Sequence, residues 1–355
     1  MRNQLFRTLA AGAVVMATPL SGHALMPVQG ALPASVAAPV LARAKAALER
    51  PPGAIPRLHT EGTLPGKGIR EISLKAKEDQ LLILAFALAY RQSGDRAYLA
   101  QAERYLTAWA DIYQPSFNPI DETGFDSLML AHDLVEDDLT PAAAKTLDRF
   151  WRRLAQGYLD AMDGTPKNAI TNWQSHRVKL ATLAAYRVGD TALIARARAA
   201  FRRQIAANVR SDGSVFDFHE RDALHYVTYD LDPLLMAALA ARAHGEDWFG
   251  WQSPTGASLV HAVDWLAPYT DGRKVHVEFA RSKIQFDRDR AAAGQSEYAP
   301  HPWNPANAVN TYALAAMIEA RFAPLCDDLV KRTGRAPAPW TTYVTYAPVS
   351  VPAAR

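Results

Sequence analysis

Cysteine is almost missing from this chain. Cys326 is the only one in 355 residues, so no disulfide can form within it. A chain this long can bury enough surface to do without one. Cys326 lies in a helix-like stretch, which suits a buried structural thiol better than a nucleophile. No apolar run is long enough to span a bilayer. Net charge is only +3, so the bulk balance announces no nucleic-acid or other polyanionic partner, and any such binding must come from local clustering. A zinc HExxH fails, because Ala223 stands where His219-Glu220 would need a second histidine. No metal and no cofactor is expected. No G-x-S-x-G elbow supports a Ser-His-Asp triad. There is no βαβ alternation and no regular run of short strands.

What is present begins with a leader. Arg2 and Arg7 form a basic start, residues 9–17 a short apolar run, and Gly22-His23-Ala24 offers small residues at a cleavage position. That pattern predicts a secretory signal peptide over residues 1–24, and hence an exported, periplasmic or secreted protein without membrane insertion. The composition, 49% apolar and 21% charged, is enough for a sizeable globular core.

Residues 25–70 are rich in Pro, Ala and Gly and read as an arm with one helix near 36–49. The arm ends in a basic loop, Pro65-Gly66-Lys67-Gly68-Ile69-Arg70, either a solvated connector or a lid over substrate. From there the pattern turns helical, with a stripe of Leu81, Leu82, Leu84, Ala85 and Leu88. One punctuation recurs: Tyr90-Arg91-Gln92-Ser93-Gly94-Asp95, then Tyr186-Arg187-Val188-Gly189-Asp190, then more loosely Ala243-His244-Gly245-Glu246-Asp247. Helix, Gly C-cap, acidic N-cap, helix is the mark of a helical hairpin. Further helices are expected near 128–136, 141–162, 256–269 and 310–325, while 275–286 is either a short strand or a helix. The expected fold is all-α: antiparallel helical hairpins curled into an incomplete (α/α) barrel over residues 71–335, followed by a Pro-rich tail, 336–355.

Two polar stretches stand out. Residues 171–177 read TNWQSHR, and Thr171 with Gln174 fits a capping box. Asn172 and Trp173 then fall in a first helical turn, with Asn172 and His176 on one face. Helix N-termini favour anions, so Asn172 either donates to a carboxylate or simply begins a helix. The second stretch, residues 215–233, reads VFDFHERDALHYVTYDLDP and packs His219, Arg221, His225 and Tyr226 closely together. With Asp222 capping a helix from Ala223, His219 and Arg221 sit on a loop and His225 and Tyr226 in the first turn.

Taken together, LAYRQSGDRAYLAQAERYLTAWADIY, NPIDETGFDSLMLAHDLVED, the Asn172/His176 segment and DALHYVTYDLDPLLMAAL resemble the alginate lyase superfamily over about residues 70–290. The resemblance implies an (α/α) barrel or toroid that cleaves uronate polysaccharides without a cofactor, with an Asn, a His, an Arg and a Tyr lining the site. In the mannuronate lyases Asn and His are adjacent, and an Arg stands seven residues before the Tyr. Here Trp173 follows Asn172, His219 holds the Arg position, and the arginine is Arg221. The chain therefore resembles a sister branch acting on mannuronate or glucuronate polymers.

Such a reaction removes H5 of a uronate and expels the 4-O-linked sugar. On this reading Asn172 and Arg221 neutralise the substrate carboxylate, Tyr226 transfers the proton, and His176, His219 or His225 assists or acts as base. Arg177, Arg281 and Lys283 either hold neighbouring carboxylates or are solvated surface charge. Trp173 and Trp303 either stack on sugar rings or pack in the core. Two rivals remain: a glycoside hydrolase, which needs two opposed carboxylates, and a non-catalytic polysaccharide-binding protein.

Overall fold

The computed structural model describes residues 24–26, 32–66, 68–164 and 166–343. Most of the expected leader, Lys67 of the basic loop and most of the Pro-rich tail lie outside the described residues. In chain order the helices are α1 (Ala34–Ala46), α2 (Ile69–Ser93), α3 (Arg96–Ile112), α4 (Phe125–Val135), α5 (Pro141–Asp163), α6 (Asn172–Val188) and α7 (Thr191–Asn208). They continue with α8 (Phe216–Arg221), α9 (Leu224–Ala243), α10 (Leu259–Thr270), α11 (Gln285–Ala292), α12 (Val309–Ile318), α13 (Ala323–Thr333) and α14 (Pro339–Tyr343).

The hairpin punctuation folds as its chemistry dictates in two of three places. The Asp95 carboxylate accepts from Ala97 N at 2.9 Å and opens α3, and that of Asp190 accepts from Ala192 N and Leu193 N at 3.0 and 3.1 Å and opens α7. Gly94 and Gly189 end α2 and α6 at φ 71° and 61°, a conformation any Cβ would penalise. At the third place Gly245 also has positive φ, but no helix follows directly. The Glu246 carboxylate is already taken by Arg198 at 2.5 and 2.6 Å and by Trp248 Nε1 at 2.9 Å, so it cannot cap. The next helix, α10, is capped by Ser258 instead.

Inner and outer helices alternate. In α6 every residue except Trp173 is buried, and most of α9 and α12 is buried too. Helices enclosed all round belong to the inside of a protein. α2 packs on α4, α4 on α6, α6 on α9 and α9 on α12, an arc of inner helices. α3 packs outside α2, α7 outside α6, α10 outside α9 and α13 outside α12, while α5 packs on both α3 and α6. Among the described residues α12 has no comparable packing on α2, so the ring stays open there, and the short α14 packs on α12. This is an incomplete (α/α) toroid.

Some boundaries differ from the sequence pattern. α2 already begins at Ile69, so Ile69 and Arg70 are helical rather than loop. Leu81 is 59% exposed and is no part of the buried stripe. Residues 275–286 hold both alternatives in miniature: β1 (Val277–Glu278) pairs antiparallel with β2 (His301–Pro302), and a helix starts only at Gln285. The final amphipathic helix is two, α12 and α13, broken at Glu319, where the chain turns extended.

Candidate active site

The two polar stretches converge where α6 and α9 begin. Thr171 caps α6 as expected, its hydroxyl accepting from Trp173 N at 3.3 Å. The capping box does not close, because the Gln174 side chain turns away to accept from Arg177 at 3.0 Å. The Asn172 amide is given to Asp217: its N–H donates to Oδ2 at 2.6 Å and its Nδ2 to Oδ1 at 2.8 Å. The position expected to face a substrate carboxylate thus holds a carboxylate of the protein itself.

Asp222 does not cap α9. It ends α8 in the left-handed region, φ 52°, so His219 and Arg221 lie on a short helix rather than a loop. The segment after α10 holds that turn. Phe279 N and His276 Nε2 donate to the Asp222 carbonyl, both at 2.9 Å, and Arg281 N donates to its carboxylate at 2.9 Å. Bracing of this kind sustains a backbone conformation that costs energy on its own. It aims Tyr226 from the first turn of α9 into a nearly closed cage.

The Tyr226 ring lies under the Arg221 guanidinium, 4.0 Å from its centroid. Its hydroxyl accepts from Arg290 Nη1 at 3.1 Å. Arg221 is charge-compensated: Nη1 bonds Asp287, and Nε lies 3.7 Å from Asp217. Arg290 differs, since among the described residues no carboxylate lies within ion-pair distance of it. It is held instead over the rings of Phe286 and Tyr298, at 4.3 and 4.5 Å. Burial pushes the Tyr226 phenol up, and the two guanidiniums oppose that push.

Tyr229 links this cage to the histidines. Its ring is 4.3 Å from His176 and stacks on His225 at 6.2 Å. His225 N donates to Glu278 at 2.5 Å, which ties the start of α9 to β1. The Thr123 hydroxyl accepts from Lys179 Nζ at 2.9 Å and meets His176 Nδ1 at 2.7 Å. With one proton and two lone pairs, the hydroxyl either donates to Nδ1 or accepts from Nδ1–H, according to the tautomer of the ring. Nε2 is buried without a well-aligned hydrogen bond, although the Tyr229 backbone acts on the ring. Burial, then nearby positive charge, holds both rings below the usual histidine range, far below for His176, so both are neutral at neutral pH.

The remaining expected residues lie apart. Arg177 is buried and donates to Gln174 and to the Lys167 carbonyl, with Trp173 under its guanidinium at 5.7 Å. His219 bonds Ser214 at 2.7 Å. Arg281 and Lys283 are exposed and pair with Asp222 and Glu220. Trp303 is buried in the core. Arg290, Tyr229, Lys179, Asp287 and Glu278 belong to the site and were not singled out from the sequence. Lys179 had a usable signal, one helical turn beyond His176. Among the described residues no group of three or more His, Cys, Asp or Glu is placed to hold a metal ion.

The helical toroid has known counterparts. The family model described as alginate lyase matches residues 35–276. The chain belongs to the alginate lyase family. A protein of Stenotrophomonas maltophilia (strain K279a) named polysaccharide lyase is 31% identical over 219 residues, 58% of this chain. The match spans 61% of that relative's length, about three fifths. An alginate lyase from Bacteroides ovatus superposes with a TM-score of 0.63 at 17% identity, over 83% of this chain and 90% of that one. Alginate lyase A1-III from Sphingomonas species A1 does so with 0.60 at 16%, over 94% and 98%. At such identity the likeness is one of fold. The alginate lyase match ends before Arg290, which the site nevertheless draws onto Tyr226.

Proposed function

We propose that this chain cleaves a 1,4-linked polymer of mannuronate or glucuronate by β-elimination at Tyr226. The observation that carries this is the setting of the phenol, with Arg290 on its oxygen and Arg221 against its ring. Tyr226 takes H5 as a phenolate, the C5–H electrons form the C4–C5 double bond, and the C4–O bond breaks. The same phenol then returns the proton to the leaving O4, so no proton is gained or lost overall. Mannuronate and glucuronate share their configuration at C4 and C5, which puts H5 and O4 on one face, within reach of one tyrosine.

The C5 proton is a poor acid beside an ionised carboxylate. A cation there stabilises the developing enolate, and a preorganised donor contributes several kcal/mol. Arg290 takes this part best, because among the described residues no carboxylate forms an ion pair with it, and it also lowers the cost of ionising Tyr226. His176, in the tautomer that carries its proton on Nε2, is the second donor. Arg221, clamped by Asp217 and Asp287, steadies the phenolate. Asn172 serves indirectly, by holding Asp217.

A hydrolase needs two carboxylates facing the bond. Asp217, Glu220, Asp222 and Asp230 are instead engaged by Asn172, Lys283, Arg281 and Ser175 respectively. A structure of alginate lyase A1-III is described as complexed with a tetrasaccharide, in keeping with a polymeric substrate for this fold. The test is ultraviolet absorbance of unsaturated product from mannuronan, guluronan and glucuronan. Product from mannuronan or glucuronan is expected. Product from guluronan alone would overturn the one-tyrosine route, and binding without product would favour the non-catalytic reading.

A further inference from the structure

Beyond His176 the inner arc borders a half-open chamber of about 240 Å³. It reaches from His176 and Tyr229 inward to Lys179 and Asp232, and Trp340 lines it as well. Trp340 belongs to α14, the short C-terminal helix packed on α12 beside the opening of the ring. It is 7% exposed, and its segment is tied down by Ala338 N donating to Asn310 Oδ1 at 3.2 Å. Arg335, donating to Asn307 at 3.2 Å, anchors the approach. The C-terminal segment thus walls a space that shares His176 and Tyr229 with the catalytic cage.

The lining suits one sugar. Trp340, Tyr229 and Leu314 offer faces to a ring, and Asp232 offers a hydroxyl acceptor. His176 presents a buried Nε2 with no well-aligned partner, and Lys179 supplies a cation already shared with Asp126 at 2.5 Å. Pockets for drug-sized ligands run from about 300 Å³ upward, so this space is too small for a length of polymer. We propose that the chamber receives the terminal sugar of a uronate chain, so that the protein cuts from a chain end and the C-terminal segment sets product length. This rests on the elimination reading above. An endwise enzyme makes double bonds without shortening most chains. An internal cutter shortens many chains with few cuts.

The experiment follows viscosity and ultraviolet absorbance together during digestion of mannuronan and glucuronan, with sizing of the earliest products. Short products with viscosity nearly unchanged are expected from the parent chain. A steep fall in viscosity at the first few cuts, with long mixed products, overturns the proposal. Trp340→Ala should steepen the fall in viscosity per double bond several-fold, with Trp340→Phe close to the parent. Unchanged products from a folded Trp340→Ala would remove the C-terminal segment from the role. If that variant does not fold, the parent profile still decides. No absorbance from any uronate polymer would instead overturn the elimination reading, and this inference with it.

Discussion

Two arginines approach Tyr226, and they are not equivalent. Arg221 is held by Asp217 and Asp287, whereas Arg290 bonds the phenol and, among the described residues, has no carboxylate at ion-pair distance. Replacing Arg290 by Gln removes the cation that favours both the phenolate and the substrate enolate. We expect kcat to fall by roughly 10²- to 10³-fold, the scale for one lost donor of developing charge. Without that cation the phenol ionises at higher pH, so the rate of Arg290→Gln should keep rising into more alkaline solution than the parent's. A pH-rate profile checks both; an unshifted profile would detach Arg290 from the phenol. Asn172→Ala has a different expectation. It deprives the buried Asp217 of one donor, which costs about 1–3 kcal/mol of stability, and its kcat should fall by less than about tenfold, well short of the loss of a direct donor. A loss of roughly 10²-fold or more with unchanged melting would return the amide to the substrate carboxylate. Tyr226 and His176 were legible in the sequence because each sits in a local pattern at a helix start. Arg290 was not, for it meets Tyr226 only through a fold that joins positions 64 residues apart.

Helices were the most readable level, since capping chemistry is local. Gly94-Asp95 and Gly189-Asp190 each end one helix and begin the next with groups a few residues apart. Gly245-Glu246 looked alike and failed because Arg198, far away in sequence, claimed the carboxylate. Asp222 misled for the same reason: its turn is held from residues 276–281. Packing between helices leaves its own titration. On α4, His132 Nδ1 accepts from Trp151 Nε1 of α5 at 2.9 Å, and burial, then Arg187, holds its pKa well below its ordinary value of 6.5. The folded state then binds fewer protons than the unfolded one below 6.5, so this group costs stability as pH falls through that value. His132→Asn keeps an acceptor but does not titrate. The variant should be less stable than the parent at alkaline pH, and the gap should narrow below about 6.5, by up to about 1.4 kcal/mol per pH unit. Thermal melts across pH measure it; a gap that widens on acidification would mean His132 is protonated in the fold.

At the scale of the molecule, the open toroid was expected from repeated hairpins, but the packing of α14 on α12 beside the opening was not. Proline-rich composition says that a segment makes no long helix; it does not say where the segment packs. The start of the body is similar. Leu25 N and Met26 N donate to Asp133 at 2.7 and 3.2 Å, and both side chains are buried. Cleavage after Ala24 would place a new amine on that carboxylate. If residues 1–24 are a cleaved leader, the mature protein should have the mass of a chain beginning at Leu25; a mass that retains residues 1–24 would contradict the leader.

The proposed elimination at Tyr226 ties these scales together, and removing one hydroxyl tests it. The measurement is the initial rate of ultraviolet-absorbing product from mannuronan and glucuronan by Tyr226→Phe beside the parent, with polymer binding and melting temperature recorded for both. The change leaves the ring under Arg221 and takes away only the oxygen bonded by Arg290. The account predicts a rate lower by roughly 10²- to 10⁴-fold, the usual loss of an acid–base group, with binding and folding retained. A folded Tyr226→Phe that turns over within about a factor of two of the parent, far inside that range, would contradict it.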